Sequence, residues 1–260
     1  VYKDLSLVVI TPTASEVSLT EKGYRNFFRV NANDTTQARV DADFLVSTLG
    51  ARRVAVLYND DPYGQGLGQL IAADLQSLGA DVVLSLQVGV EQFTFEDEIP
   101  QIAAAQPDAV FYGGYEVEAP YLRAELVEAG LDLPFLASDG AFLSATIDEA
   151  GNAAEGIYVS AFGPSPKAAT DEVWIREYQA VEYRNPDTYS INGYSALRVL
   201  AEGVQEAKSF DAAGVANAIR GSAGIETTMG SLSFDADGDL QDQKIYIYQV
   251  QGGDWVQVYP

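Results

Sequence analysis

The residues best placed by type and spacing to do chemistry stand where apolar runs give way to loops: Thr13 and Ser15, then Tyr63, then Tyr115, then Asp139. Hydroxyls, phenols and a carboxylate hydrogen-bond and ion-pair with a polar ligand, and tyrosine rings add apolar area with a polar tip. The plainest of these runs is Asp108-Ala109-Val110-Phe111-Tyr112-Gly113-Gly114-Tyr115, and Phe135-Leu136-Ala137-Ser138-Asp139-Gly140 repeats its plan. A short apolar run that stops on Gly beside a polar or aromatic residue reads as a buried strand delivering side chains at its C-terminal end. Open α/β sheets bind ligands at that edge, and parallel neighbours bring residues distant in sequence together there. Ser, Asp, Gly and Tyr are also ordinary βα-loop residues, and for any one position that reading stays open; it is weaker for the set.

What the chain lacks narrows the chemistry further. It has no cysteine and no histidine, which removes thiol nucleophiles, disulfides, thiolate and imidazole metal sites and the commonest general base. A formal net charge of −23 repels phosphate backbones and anionic membranes, so nucleic acid is not expected as a partner. Carboxylates are abundant, and a carboxylate-pair enzyme stays open, but no pair stands out. Asp61-Pro62-Tyr63-Gly64-Gln65-Gly66-Leu67-Gly68 imitates a dinucleotide fingerprint, yet Gln69 stands where the last Gly should be, and a loop opening a helix is the simpler reading. Asp235-Ala236-Asp237-Gly238-Asp239 departs from calcium-loop spacing and reads as a tight acidic turn. Asn33-Asp34-Thr35 is a formal glycosylation sequon that serves better as a helix cap.

The elements that must position these residues follow a βα rhythm. Strands are expected at Arg53 to Tyr58, Asp81 to Val88, Asp108 to Tyr112, Pro134 to Ala137 and Gly156 to Ala161, separated by helical patterns. Such alternation predicts a parallel, doubly wound α/β sheet. Before it come short strands at Leu5 to Ile10 and Phe27 to Val30, and a helix from Asn33 to about Leu49 closed by Gly50. After it come helices at Thr170 to Tyr183, Ser190 to Ala207 and Asp211 to Arg220, a turn-rich Gly221 to Gly230, and strands at Ser231 to Phe234, Lys244 to Gln249 and Trp255 to Val258. Gly252-Gly253 fits a hairpin turn. The order predicts two lobes with more than one crossing between them. No apolar run approaches the roughly 20 residues of a membrane helix. Val1-Tyr2-Lys3-Asp4 leads directly into a strand-like run without the features of a signal peptide.

These stretches together resemble the type I periplasmic substrate-binding proteins of ABC transporters, in particular the leucine/isoleucine/valine-binding group. The matching residues are Ile10-Thr11-Pro12-Thr13-Ala14-Ser15, Leu19-Thr20, Gly23-Tyr24, Phe28-Arg29, Tyr63-Gly64-Gln65-Gly66-Leu67, Pro107 to Tyr115, Ser138-Asp139-Gly140, Ala154-Glu155-Gly156, and Phe234-Asp235 with Gly238-Asp239-Leu240. They run in family order across almost the whole chain. The resemblance implies two α/β lobes, each a mostly parallel sheet flanked by helices, with residues 1–33 and 163–230 in the first and 34–162 and 231–260 in the second.

It implies an amino acid held in a cleft, a hinge that closes on it, no enzymatic activity, no cofactor and no metal. The partners implied are a branched-chain or other hydrophobic amino acid and the membrane permease of an ABC importer, with the protein a monomer outside the cytoplasm, lipid anchoring left open. In the family, the loop matching Thr13, Ala14 and Ser15 holds the ligand's carboxylate and ammonium. The acid matching Asp139, beside Gly140, pairs with the ammonium, and the aromatics matching Tyr63 and Tyr115 wall the pocket. A zwitterion taken out of water needs donors for one end and an anion for the other, which these residues supply. Asp139 stands where some members have Glu, one methylene longer, which implies a repositioned or water-mediated contact. The family also has a further βαβα portion ahead of the point matching Val1, so the first lobe is expected to be incomplete. A ligand-sensing receptor domain, or a binder of amides or aromatic acids on the same fold, is the alternative.

Overall fold

The computed structural model describes residues 6–260; Val1 to Asp4, and the Leu5 start expected for the first strand, lie outside the described residues. The chain divides into two compact units, one of residues up to Asn33 with Phe162–Ile245, the other of Asp34–Ala161 with Tyr246–Pro260. In chain order the first unit opens with β1 (Val9–Thr11), α1 (Ser18–Glu21) and β2 (Phe27–Arg29). The second unit then runs α2 (Asp34–Asp43), β3 (Arg53–Asn59), α3 (Pro62–Ser77), β4 (Asp81–Val88), α4 (Ile99–Ala105), β5 (Ala109–Gly113), α5 (Ala119–Glu128), β6 (Phe135–Ala137), α6 (Ser144–Ala150) and β7 (Tyr158–Ala161). The first unit resumes with α7 (Pro166–Ala169), α8 (Glu172–Glu182), α9 (Thr188–Ala207), α10 (Ala212–Gly221), β8 (Ile225–Thr227) and β9 (Gly230–Leu232), and β10 (Tyr246–Gln251) and β11 (Asp254–Tyr259) complete the second.

The second unit is built on a seven-stranded sheet in the order β11-β10-β7-β6-β5-β3-β4. The βα strands β3 to β7 are parallel, as the alternation predicts, while β10 and β11 add an antiparallel edge joined at Gly252 (φ 61°) and Gly253 (φ 83°). Two residues at positive φ are what a right-twisted two-residue hairpin requires. The inner strands β5 and β6 are apolar on both faces because both are covered, whereas edge strand β4 is partly exposed. Ala55, Leu57, Val110, Tyr112 and Phe135 pack with residues of α4 to α6, and Val54, Val56, Phe111 and Leu136 pack with α2 and α3. The strand order reverses between β3 and β5, which have β4 and β6 on their outer sides. Helix α2 ends in a widened turn over Phe44–Thr48, where Leu49 N bonds to Phe44 O, before Gly50 (φ 74°) stops it.

The first unit has smaller sheets among its described residues: β1 and β2 pair in parallel, and β8 and β9 form an antiparallel pair. The sequence reads the stretch containing β8 only as turn-rich. Helix α9 starts at a reciprocal cap in which the Asp187 carboxylate accepts from Ser190 N and the Ser190 hydroxyl accepts from Asp187 N. Its buried face, with α10, packs on Phe28, Val30, Phe234 and Leu240. The buried Arg29 guanidinium ties this unit together. It donates to Asp239 (2.5 Å), to the Thr20 hydroxyl (2.8 Å) and to the carbonyls of Ala14 and Glu16.

One boundary differs from the sequence expectation. Residues 231–245, assigned above to the second lobe, belong to the first unit, because Leu232, Phe234 and Leu240 bury against Phe28 and Val30 and Asp239 neutralises Arg29. The expected acidic turn is there: Asp235 Oδ1 accepts the backbone N–H of Asp237, Gly238 and Asp239. Gly238 takes φ 95°, and a side chain on it would meet the Phe27 carbonyl.

Candidate functional site

Register places the ends of the central strands side by side, with Tyr58 opposite Gly113 and Tyr112 opposite Ala137. The chain leaves these ends into three loops that carry the second unit's candidate residues. After β3, Asp61 caps α3 by accepting Tyr63 N (2.9 Å), with Pro62 in the first helical turn. That cap throws the Tyr63 ring back over the sheet edge, where it stacks on Tyr115 with centroids 5.5 Å apart. The Tyr115 hydroxyl reaches the same Asp61 oxygen at 3.1 Å, so one carboxylate fixes both rings. Tyr115 is also held by its backbone N–H on Glu118, which accepts the buried Tyr112 hydroxyl as well.

After β6, Ser138 locks onto the β5 loop by exchanging hydrogen bonds with Gly114. Asp139 follows, nearly buried at 6% exposure. Its Oδ1 accepts the Tyr63 hydroxyl at 2.5 Å and the Gln37 side-chain amide at 2.9 Å. Gly140 lies so close to the neighbouring loop that a Cβ would fall 2.4 Å from Gly114 O, and its own carbonyl accepts Glu116 N. Any larger residue there would push the Asp139 and Tyr115 loops apart.

The electrostatics suit a cation. Burial pushes the Asp139 carboxyl up to about 6, against the hydrogen bonds of Tyr63 and Gln37, which hold it down; Asp34 pushes it further up. A positive charge arriving beside it favours the ionised form. Burial and the adjacent Asp139 raise the Tyr63 phenol well above its ordinary range, and burial and Asp61 do the same for Tyr115, so both stay protonated donors at neutral pH.

Of the residues singled out in the sequence, Tyr63, Tyr115, Asp139 and Gly140 come together at this edge of the second unit. Thr13, Ala14 and Ser15 form one loop of the first unit. The Thr11 hydroxyl accepts the N–H groups of Thr13 and Ala14, and Arg29 and Asn31 donate to the Ala14 carbonyl, leaving Thr13 and Ala14 exposed and Ser15 buried. Sequence reasoning passed over Gln37, Asp41, Asp61 and Ser160. The signal for the first two was Asp34, Gln37 and Asp41 at positions i, i+3 and i+7 of α2, a polar stripe on the face that also carries buried Ala38 and Ala42.

Comparison with known proteins identifies the family. The periplasmic binding protein family model matches residues 2–254. A leucine-, isoleucine-, valine-, threonine- and alanine-binding protein of Pseudomonas aeruginosa is 29% identical over 252 residues, 96% of this chain and 66% of that protein. The chain thus spans about two thirds of the length of that curated relative. The structure of a leucine-binding protein from Thermotoga maritima superposes with a TM-score of 0.89 at 25% identity, covering 99% of this chain and 73% of that one. A solute-binding protein of an ABC transporter from R. palustris, in complex with benzoate, shares the fold at 17% identity, with a TM-score of 0.86 over 99% of this chain and 72% of its own. With the family pattern matched nearly end to end and the sheet edge built as described, this chain is a member of the periplasmic binding protein family.

Proposed function

We propose that the protein is a solute-binding protein that captures an amino acid with an apolar side chain and delivers it to the permease of an ABC importer, outside the cytoplasm. The observation that carries this reading is the Asp139 carboxylate, nearly buried under two stacked tyrosines and held in place by a phenol and an amide. A carboxylate in that setting is matched to an ammonium group, which repays its desolvation, while the rings of Tyr63 and Tyr115 supply apolar surface for the rest of the ligand. In this reading Thr13, Ala14 and Ser15 receive the ligand's carboxylate through hydroxyl and backbone groups. The name of the Pseudomonas relative supports leucine, isoleucine or valine as the first ligands to try. The protein binds and releases its ligand unchanged and works as a monomer, with no cofactor, metal or nucleic acid.

Binding stabilises the native state by mass action, so the test is the melting temperature and a calorimetric titration of the full-length protein across the common amino acids, with amides and benzoate alongside. Leucine, isoleucine or valine should raise the melting temperature, and Asp139→Ala should abolish the rise in a protein that still folds. A rise with benzoate or an amide and none with any amino acid would replace this reading with that of an aromatic-acid or amide binder.

A further inference from the structure

Behind Asp139 lies a line of buried polar groups of which the binding reading uses only the first, the Gln37 amide. Gln37 Nε2 is 2.9 Å from Asp139 Oδ1 and 2.9 Å from Ser160 Oγ, and Ser160 Oγ is 3.0 Å from Asp41 Oδ2. Gln37, Ser160 and Asp41 are all fully buried. The direction of each bond follows from donor counting. The Gln37 atom beside a carboxylate oxygen must be the amino group, so it spends one hydrogen on Asp139 and the other on Ser160. Ser160 has then received a hydrogen and gives its own to Asp41 Oδ2, which accepts it whether the acid is ionised or carries its proton on Oδ1. The sequence Asp41 ← Ser160 ← Gln37 → Asp139 has no slack: rotating Gln37 would strand two donors and turn its carbonyl toward a carboxylate.

Asp41 is where this line is anchored. It sits one helical turn after Gln37 on α2, whereas Ser160 comes from β7, so the anchor ties the helix to the sheet. Burial and the neighbouring Asp139 raise its carboxyl well above the ordinary range, while Ser160 pulls the other way. Asp41 Oδ1 has no partner among the described residues, so an ionised carboxylate there would keep one oxygen without a donor. The neutral acid escapes most of that cost and still accepts from Ser160 through Oδ2.

We propose that Asp41 and Ser160 are positioning residues for Asp139, committing both hydrogens of the Gln37 amide so that one of them always points at the carboxylate that meets the ligand. The ligand's part in that statement rests on the binding reading above; the wiring itself does not. Asp41 acts as a hydrogen-bond acceptor rather than as a charge.

The test reads Asp139 directly, in the ligand-free full chain, by carbon NMR of its carboxyl through a pH titration, with Asp139→Asn assigning the signal. The titratable groups facing Asp139 are Asp34 and Asp41 on α2, Tyr63 on α3 and Tyr115 after β5, and all but Asp41 are kept in the variants. Ser160→Ala and Asp41→Ala release Gln37, the donor that stabilises the ionised carboxylate weakens, and the Asp139 midpoint should rise by about half to one pH unit. Asp41→Asn keeps the acceptor and should leave the midpoint in place. An unmoved midpoint in Ser160→Ala, or a fall in Asp41→Asn, would overturn the proposal, the latter by showing that Asp41 acts through charge. Should Asp41→Ala not fold, Ser160→Ala, which removes one hydroxyl, carries the test alone. A leucine titration of the same proteins separates the two readings. If the wild type binds, Ser160→Ala should bind about three- to tenfold more weakly, the worth of one hydrogen bond. If the wild type binds no amino acid while the midpoints shift as stated, the functional reading fails and the wiring stands.

Discussion

The two units solve the same problem, ordering a polar loop cluster, by different physical means. In the second unit a continuous sheet with an apolar core on each face supplies the rigidity, and the polar residues at its edge are held by neutral donors, a phenol and an amide, on a carboxylate. In the first unit the described sheets have two strands each, and the loop from Thr13 to Glu16 is held by one buried guanidinium whose charge Asp239 offsets. The surfaces differ in the same sense. The most exposed large apolar side chain described in the second unit is Phe93 at 53%, whereas Val181, Tyr183 and Phe210 of the first stand at 71%, 91% and 92%. Where core is plentiful, neutral hydrogen bonds suffice to hold the edge; where it is scarce, an ion pair takes on a structural task and its partners become indispensable.

That contrast is open to direct measurement, because each unit contains one tryptophan: Trp174, stacked on Tyr178, and Trp255, against Phe142. Replacing either by Phe leaves a reporter for the other unit. Arg29→Ala should have the largest effect of all. It strands the Asp239 charge and removes the donors that reach the Ala14, Glu16 and Val17 carbonyls, which should cost the first unit about 3–5 kcal/mol. Urea unfolding followed at Trp174 should shift or collapse while the Trp255 transition stays. Phe111→Ala is its counterpart, opening a cavity at a fully buried position of β5 for about 3–4 kcal/mol, and it should move the Trp255 transition. If either substitution moved both transitions equally, the units would not be independently held, and the comparison would fail.

The same contrast explains what the sequence could disclose. Parallel strands covered on both faces are largely apolar runs, so β3, β5, β6 and β7 stand out between Arg53 and Ala161, edge strand β4 shows in its Val82-Val83-Leu84 run, and Tyr115 and Asp139 stand out as the residues that follow two of them. In the first unit the fixing contacts are between residues far apart in sequence and carry no period. Arg29 meets Asp239 across 210 positions, and nothing in the pattern around Phe234 says that it packs on Phe28 rather than joining the large sheet. Hence the strand at Ser231 to Phe234 and the acidic turn after it are legible while their unit is not, and residues 231–245 belong to the first unit rather than the second. Gln37, Asp41 and Ser160 were passed over for a related reason. A polar stripe on one helix face looks solvated until the sheet that buries it is in place.

Protons probe the second unit through Asp139. Asp139 lies at about 6 against 3.8 for an unperturbed Asp, so the folded unit holds this proton more tightly than the unfolded chain does. Its stability should therefore be greatest below pH 3.8, fall as pH rises from 3.8 to about 6, and level off above, as far as this group decides. Binding of an ammonium runs the other way, because it needs the ionised carboxylate. Leucine affinity should be flat above about pH 6 and drop about tenfold per unit below it. Calorimetric titrations at several pH values across that window check the sign, and an affinity independent of pH would remove Asp139 as the ammonium's partner.

The smallest effects compare the helix caps. Asp61 caps α3 in the second unit and Asp211 caps α10 in the first, each accepting a backbone N–H in the first turn. An N-cap carboxylate lost to Ala costs about 1 kcal/mol, and Asp211→Ala should cost the first unit about that, read at Trp174, with no effect on ligand. Asp61→Ala should cost the second unit about the same at Trp255, since the cap is similar and its bond to the partly buried Tyr115 hydroxyl, at 3.1 Å, adds little to stability. The difference lies in binding. Asp61 is the common anchor of Tyr63 and Tyr115, so its loss frees the stacked pair and should weaken leucine binding about three- to tenfold, the worth of one lost hydrogen bond. Asp61→Asn, which still accepts from Tyr63 N and the Tyr115 hydroxyl, should restore most of the affinity. If Asp61→Ala lowered stability and left affinity untouched, the stacked tyrosines would be part of the fold of the second unit and no wall of its site.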